Sequence, residues 1–547
     1  MKVVRPVLPA LVGLLVLPPL GSQSLKNYRR ALPHDVVTGR IAEAQHLRDY
    51  VVSGKLTLSL RDAILLALEN NSSVRVDATQ IENQKMSVLG AYAPFDPLVQ
   101  SDLNVNRYST PGYTALQGVG QSSNSTLNSL SQFAQVSYIQ TFYDGTNVEV
   151  SASSNKNSNN SSFLFFNPYY SSTLTFQFTQ PLLRGAGLFA NMAPILIARR
   201  QLDESVDSFR AQVSSTIYQV VQQYWAAVQA QGNLDVSEES MKLAQASYDH
   251  DRKALALGAL PPLDIYRSES EVAALRVNII QAQANLVQAD DALRLMIGAN
   301  QDPQISALPL DLSENPVPQG ELRSVDAAVE LAEALERRPE VAMSAEALQA
   351  DHLSIRLARN QLRPNLSLQA FYQTSGLGGN QYNLTTGQLI SPGGLGSSFG
   401  QMFGFGYPGY GGTLTLQFPL RNHQAEASLG SALVAQSRDR YSSRQVREQI
   451  TSDVAQAVEQ LNAAKLALQA AKASCSLAQK SLQADQQKYA LGAETIFFVL
   501  DSQTRLAQAE SVLLQTEVGY QLALASLNWA TGDNLTPWSI RIRDLSR

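Results

Sequence analysis

Leu257-Gly258-Ala259 recurs as Leu491-Gly492-Ala493, and Ile297-Gly298 recurs as Thr531-Gly532, both at a spacing of 234 residues. Two landmarks sharing one offset without a gap mark an internal repeat, which has to be recognised before any single element is read. Upstream, Leu68-Glu69 before Val74 and Pro97 corresponds to Leu335-Glu336 before Val341 and Pro364, all at a spacing of 267. The run Thr173-Leu174-Thr175-Phe176-Gln177-Phe178 likewise returns as Thr413-Leu414-Thr415-Leu416-Gln417-Phe418. Each half reads helix, strands, long helix, shorter helix.

The long helices follow from what is missing and from what repeats. Residues 195–260 and 421–536 contain no proline, as uninterrupted helices require. Val213, Val220, Ala227, Leu234, Met241, Tyr248 and Leu255 fall every seven residues, as do Leu461, Leu468, Cys475, Leu482 and Tyr489. A sustained heptad spacing predicts a coiled-coil seam rather than a globular face. Subtracting 234 from Leu468, Cys475, Leu482 and Tyr489 gives Leu234, Met241, Tyr248 and Leu255, so the two seams are in register. Cys475 replaces Met241 and reads as a packed apolar residue. Roughly 65 to 70 residues at 1.5 Å each predict rods of about 100 Å.

The 547 residues are 44% hydrophobic and 16% charged, with a formal net charge of −5. That balance excludes both a disordered acidic tail and a basic nucleic-acid binder. Met1-Lys2-Val3-Val4-Arg5, an apolar stretch from Val7 to Leu20, then Gly21, Ser22 and Ser24 read as a secretory signal peptide. It is too short for a stable anchor, and no later segment has a long enough apolar run for a membrane helix. An exported chain of this kind is soluble or crosses a membrane as a barrel. The single cysteine, Cys475, excludes an intramolecular disulfide and a lipid-bearing cysteine near the signal end.

Between the helices the composition turns to Ser, Asn, Gly, Tyr and Phe in alternating runs. Leu414, Leu416 and Phe418 share one side of a strand and Thr415 and Gln417 the other, and Leu366, Leu368 and Ala370 alternate with Ser367 and Gln369. Apolar-out, polar-in alternation is the mark of a lipid-facing barrel strand, although half-buried strands of soluble sheets share it. Phe163-Leu164-Phe165-Phe166 and Tyr169-Tyr170 suit a membrane interface. Candidate strands lie near 98–107, 133–143, 146–154 and 172–180 in the first half and near 365–373 and 410–418 in the second. Four or six strands per chain are both open. Tyr143-Asp144-Gly145-Thr146 suits a short periplasmic turn, leaving loops 108–132, 155–171 and 374–409 outside. So few strands cannot close a barrel, and unclosed edges are forbidden in lipid, so a barrel requires several copies.

These boundaries make residues 1–24 a signal peptide, 25–54 an N-terminal periplasmic extension, 55–310 the first repeat, 311–322 a linker, 323–535 the second repeat and 536–547 a C-terminal tail. In the first repeat the strands span about 98–180, the long helix about 188–256 and the next helix about 262–297; in the second the same elements span about 365–418, 422–490 and 494–530.

Helix–strands–helix–helix written twice resembles the TolC-like outer membrane factors over about residues 55–535. The specific pieces are Leu56-Thr57-Leu58 through Ala63-Ile64 to Ala67-Leu68-Glu69-Asn70-Asn71, then Gln180-Pro181-Leu182-Leu183-Arg184-Gly185, then Tyr489-Ala490-Leu491-Gly492-Ala493 before Val499-Leu500-Asp501. The resemblance implies a mainly α fold with a membrane β-barrel portion. Long antiparallel coiled-coil helices form an α-barrel tunnel, and the strands join a trimeric outer-membrane barrel. It implies a homotrimer in the outer membrane of a Gram-negative-type bacterium, its helices in the periplasm. Such a protein is a passive exit duct of a tripartite efflux pump or type I secretion system, in contact with outer-membrane lipid, a periplasmic adaptor (membrane fusion) protein and an inner-membrane pump or ABC exporter.

The resemblance also places the periplasmic aperture. Asp264 matches an acidic constriction residue, Tyr489 its tyrosine partner, and Asp501 the inner of two acidic ring positions. Phe498 stands where the outer acidic residue is often found, and Glu494 where an arginine commonly bonds the first aspartate. Three Asp501 carboxylates across a narrow mouth would favour cations by field focusing. Read without the resemblance, Asp264 and Glu494 are helix-start carboxylates that favour the dipole. Leu257, Gly258, Leu491 and Gly492 are the expected adaptor contacts at the helix tips.

No other chemistry emerges. His34, His46, His250, His352 and His423 have no metal-ligand spacing, and the Gly-rich run 376–412 lacks a phosphate-loop ending. His250 and Asp251 beside Arg252 read as solvated residues of a coiled-coil face. No nucleophile sits in an elbow or triad. Neither cofactor, metal, nucleic acid nor enzyme activity is expected. Few histidines and methionines weigh against a metal-dedicated pump. The competing class is an exported coiled-coil scaffold with a small soluble strand domain; an enzyme on a helical scaffold is a third.

Overall fold

The computed structural model describes residues 46–112, 126–161, 164–257, 265–383, 386, 388–491 and 493–538. The signal peptide expected at 1–24 and most of the expected N-terminal extension and C-terminal tail lie outside these residues. In chain order the elements are β1 (Val51–Val52), β2 (Lys55–Leu58), α1 (Leu60–Asn70), α2 (Ser72–Gly90), β3 (Leu98–Pro111), β4 (Thr126–Thr141), β5 (Asn147–Asn159), β6 (Phe166–Pro181), α3 (Gly187–Ala256), α4 (Ile265–Ile297), β7 (Leu310–Leu312), α5 (Ala327–Arg337), α6 (Pro339–Gln361), β8 (Asn365–Tyr382), β9 (Leu389–Ser391), α7 (Leu395–Phe403), β10 (Pro408–Gln417), α8 (His423–Ala490) and α9 (Ile496–Ala530). No helix among the described residues is long and apolar enough to cross a membrane. The chain divides into two compact units.

One unit holds the described residues up to Arg75 with Ser215–Leu322 and Leu461–Ser526. Its small sheet sets β2 between antiparallel β1 and parallel β7. Ser59 caps α1: its hydroxyl accepts from the Asp62 backbone N–H at 3.2 Å while the Asp62 carboxylate accepts from the Ser59 N–H at 3.3 Å. The seam residues Val220, Ala227, Leu461 and Leu468 are buried, which the heptad spacing demands of a coiled-coil interface. Tyr224 lies within the same core and donates its hydroxyl to the Leu58 carbonyl at 3.1 Å. Burial pushes that phenol up to about 12.

The other unit holds Val76–Ser214, Arg323–Gln460 and the residues from Leu527. Six strands lie in one antiparallel sheet in the order β10-β8-β6-β5-β4-β3, with short β9 paired to β8. The open count of four or six is therefore six. The strands also run further than the alternation indicated, into the segments read as loops 108–132 and 155–171, because their outer ends are polar on both faces and lose the apolar period. Register places Val136 opposite Ala152, Val150 opposite Phe176, Phe176 opposite Tyr372 and Leu368 opposite Leu414, so one face of the sheet carries an apolar band. Thr175, Gln177, Gln369 and Thr413 lie on the opposite face.

At the β4–β5 turn Gly145 takes φ +91°, and a Cβ there would stand 2.8 Å from the Asn191 amide and the Gly185 carbonyl. The turn packs under the start of α3, where the Gly187 N–H donates to the Asp144 carbonyl at 3.1 Å. The first helix of each half, read as a single element, is two. The breaks fall at Asn71 and Arg338, both extended. Pro339 imposes the second break on the residue before it. Arg338 fixes that corner by donating to Glu340 and, at 2.8 Å, to Asp453, with its guanidinium 4.9 Å from the Trp529 ring centre.

Candidate functional site

Of the residues singled out for the aperture and the tips, Leu257, Tyr489, Leu491, Glu494, Phe498 and Asp501 lie in the first unit, and Asp264, Gly258 and Gly492 lie outside the described residues. Leu257 and Leu491, each following the last turn of a long helix, are both 84% exposed. Both apolar side chains are thus left open at the end of a long helix.

Tyr489, near the end of α8, donates its hydroxyl to Asp251 of α3 at 3.1 Å. Asp251 also accepts from Ser268 of α4, and both side chains are fully buried. One carboxylate thus ties three helices together. A buried carboxylate is tolerated because its oxygens are hydrogen-bonded. Burial, and then the Asp251 charge, push the Tyr489 phenol up to about 12. His250 packs edge-on to Tyr489 with ring centres 5.7 Å apart, its Nδ1 3.7 Å from the Asp251 carboxylate. The sequence reading of Asp251 as a solvated surface residue is corrected here: the burial comes from α4 and α8 folding over it, which helical periodicity on α3 alone does not reveal.

The second helix end repeats the pattern. Asp485 of α8 accepts from the Ser502 hydroxyl of α9 at 2.5 Å and from Lys488 at 3.4 Å. The Ser502 hydrogen bond is the first cause holding the Asp485 carboxyl below its ordinary range. Lys488 also reaches Glu494 at 2.8 Å, so Glu494 is half of an ion pair. That pair holds the Lys488 ammonium above its ordinary range.

Phe498 packs against Phe497 at 5.4 Å, and Arg267 lies over the Phe497 ring at 5.0 Å. Asp501 is joined to Arg505, one helical turn on, at 2.9 Å. Its carboxylate therefore carries a cation beside it, which the reading of Asp501 as a bare negative ring left out. The i, i+4 spacing of Asp501 and Arg505 was the available signal. Beneath them Leu482, Ile496, Val499, Leu500 and Leu506 form a buried cluster on which Tyr489 and Cys475 pack. These helix ends bring together paired charges, shared hydroxyl hydrogen bonds and an apolar base.

Comparison with known proteins gives a consistent likeness. Residues 144–299 and 331–533 match the family described as outer membrane efflux protein. The cation efflux system protein CusC of Escherichia coli K12 is 25% identical over 316 residues, covering 57% of this chain and 63% of that protein. The probable efflux pump outer membrane protein TtgC of Pseudomonas putida KT2440 is 30% identical over 146 residues, 27% of this chain and 28% of that protein. The matches thus span less than two thirds of these relatives' own lengths. In fold, the chain is similar to the crystal structure of the Campylobacter jejuni CmeC outer membrane channel, with a TM-score of 0.59 and 15% identity, over 93% of this chain and 97% of that one.

Proposed function

The chain belongs to the outer membrane efflux protein family, and from that premise we propose that it is the passive outer-membrane duct of a tripartite export system. The observation that carries this is the six-stranded sheet with an apolar band on one face, whose outer strands β3 and β10 have no further partner among the described residues. Lipid offers no hydrogen bonds to such edges, so they are satisfied only by another copy. With six alternating strands, β10 of one copy is antiparallel to β3 of the next, and the sheet can close on itself. A homotrimer contributing six strands per copy makes an eighteen-stranded barrel, in the size range that leaves an aqueous channel. The coiled-coil helices form the periplasmic tunnel, and the helix ends with Tyr489, Glu494, Phe498 and Asp501, joined by Asp264, form its aperture.

Exposed Leu257 and Leu491, with Gly258 and Gly492 beside them, are the contact points for a periplasmic adaptor, and an inner-membrane pump or exporter supplies the energy. Drug efflux, metal efflux and type I secretion all fit a duct that sees every cargo of its pump. The relatives' names divide in the same way, one for cations and one for an efflux pump of unstated cargo. The test is single-channel conductance of detergent-purified protein in planar bilayers, paired with the mass of the oligomer. A conducting trimer supports the duct. A water-soluble, non-conducting protein returns the chain to the coiled-coil scaffold reading.

A further inference from the structure

We propose that helix α7 is a lipid-seated anchor on the outside of the barrel, running along β8 from the headgroup level, where Gly394 meets Gly378, inward to the acyl chains, where Met402 meets Thr374. The inference rests on the barrel reading above. Segment 374–409, read from sequence as an external loop, instead folds back so that α7 packs on β8 and β6. It lies on the face that carries the apolar band, since Thr374, Gly376 and Ser172 under the helix share that face with Tyr372, Leu174 and Phe176.

The seat explains an otherwise misplaced set of residues. Towards the outer end of the apolar face stand Ser154, Ser172, Thr374 and Gly376, small or hydroxylated groups that lipid could not hydrogen-bond. Helix α7 covers them. Ser398 and Ser172 share a hydrogen bond, Ser172 donates to Ser154 at 3.1 Å, and Thr374 donates to the Met402 carbonyl at 3.0 Å. All four hydroxyl residues are buried. The approach is backbone on backbone: a Cβ on Gly376 would run into the Ser398 carbonyl and one on Gly378 into the Gly394 carbonyl.

Outward from the helix stand Phe403, the small Gly396, Gly400 and Gly404, and the polar Ser397 and Gln401, the latter's amide oxygen accepting from the Leu377 N–H. Phe403 is 53% exposed and packs on Phe399 at 6.2 Å, and Phe405 lies against Tyr372 of the band at 6.3 Å. A cation fixes the level. Lys156 stands on the same face opposite Tyr170, two residues outward of the Ser154–Ser172 pair, with its ammonium 5.8 Å from the Tyr170 ring centre. At the rise of a strand this sets Ser398, midway along the helix, about 7 Å inside a charge suited to headgroup phosphates, with Phe403 and Phe405 deeper still on the acyl side.

The experiment uses the full chain with Cys475→Ala and single nitroxide labels at Phe403→Cys, at Leu414→Cys on the apolar face, and at Thr413→Cys on the polar face. The labelled protein is reconstituted in vesicles of phosphatidylcholine and phosphatidylglycerol. Relaxation by oxygen, relative to a water-soluble nickel chelate, is expected to be several-fold greater at 403 and 414 than at 413. In a second variant, Gly376→Val, the helix is unseated, and 403 gains access to the chelate while 414 does not. A label at 403 that responds like 413 while 414 reports lipid overturns the anchor and leaves α7 in water beyond the bilayer. If 414 also responds like 413, the barrel reading itself falls.

Discussion

Asp251 and Asp485 stand 234 residues apart, and each accepts a hydrogen bond from the serine seventeen positions further on, Ser268 and Ser502. The repeat therefore writes the same clasp twice, side by side, each from a long helix to the helix that follows it. The copies differ in burial. Asp251 has no exposed side-chain surface and its second donor is a phenol; the Asp485 side chain is 16% exposed and its second donor is an ammonium.

Asp251→Ala is expected to cost more than Asp485→Ala. The first strands the buried Ser268 hydroxyl and the Tyr489 phenol together, a loss of about 2–3 kcal/mol, whereas the second strands the Ser502 hydroxyl alone and leaves Lys488 with water and Glu494, and costs less. Amide hydrogen exchange along 245–257 and 265–275 checks this. Equal protection in the two variants would refute the ranking.

The tyrosine gives the clasp a pH dependence. Burial, and then the Asp251 charge, push the folded Tyr489 phenol up to about 12, above the ordinary tyrosine value of about 10, so the folded form holds its proton more tightly. The stability it contributes is fully present below pH 10 and is lost as pH rises through about 12. Tyr489→Phe should remove this alkaline loss and widen the mouth, seen as raised single-channel conductance at neutral pH. A variant with wild-type conductance and an unchanged alkaline profile would separate the hydrogen bond from closure.

Much of this was legible in the chain. The 234 offset that aligned Gly298 with Gly532 is met in the structure by matching backbone at the two, φ +75° and +74°. Proline-free heptads gave the long helices because a coiled-coil seam depends on one helix's own spacing. The clasp was legible too, since Asp251 and Ser268 map onto Asp485 and Ser502 by the same offset, but short polar residues on helices look solvated until a third helix covers them. Helix α7 was not legible: Gly376 and Gly378 read as loop flexibility, and only the close approach of a second backbone shows them to be a seat.

Gly145→Ala is expected to damage barrel assembly. The residue holds φ +91°, and the added methyl would meet Asn191, Gly185 and Pro181 within 2.9 Å. Strain of that kind costs roughly 1–3 kcal/mol before the clash is added. The yield of heat-resistant oligomer after detergent extraction should fall well below that of Gly185→Ala, which shares the positive φ at +74° but where a Cβ meets nothing within 4 Å.

Leu491→Asp should abolish export in cells while leaving bilayer conductance unchanged. The side chain is 84% exposed, so a carboxylate there is solvated in the free protein and becomes costly only when a partner covers it. Cargo retention in an intact strain is the readout. Retained export would remove Leu491 from the adaptor contact.

Asp501 and Arg505 are expected to act on conduction in opposite directions. Asp501 and Arg505 sit 2.9 Å apart on one turn of α9, with Arg505 the more exposed at 71% against 40%. A ring of such pairs has no net charge, so its field at the pore axis is weaker than that of bare carboxylates. Arg505→Ala uncovers the carboxylates and should strengthen block of the current by divalent cations added from the periplasmic side. Asp501→Ala uncovers the guanidinium groups and should weaken that block, shifting selectivity towards anions. Field focusing in a narrow mouth makes both effects steeply dependent on ionic strength. Opposite shifts in the two variants place the pair in the lumen. If neither variant changes block, the pair faces away from the conduction path, and Asp501 keeps only a structural part in α9.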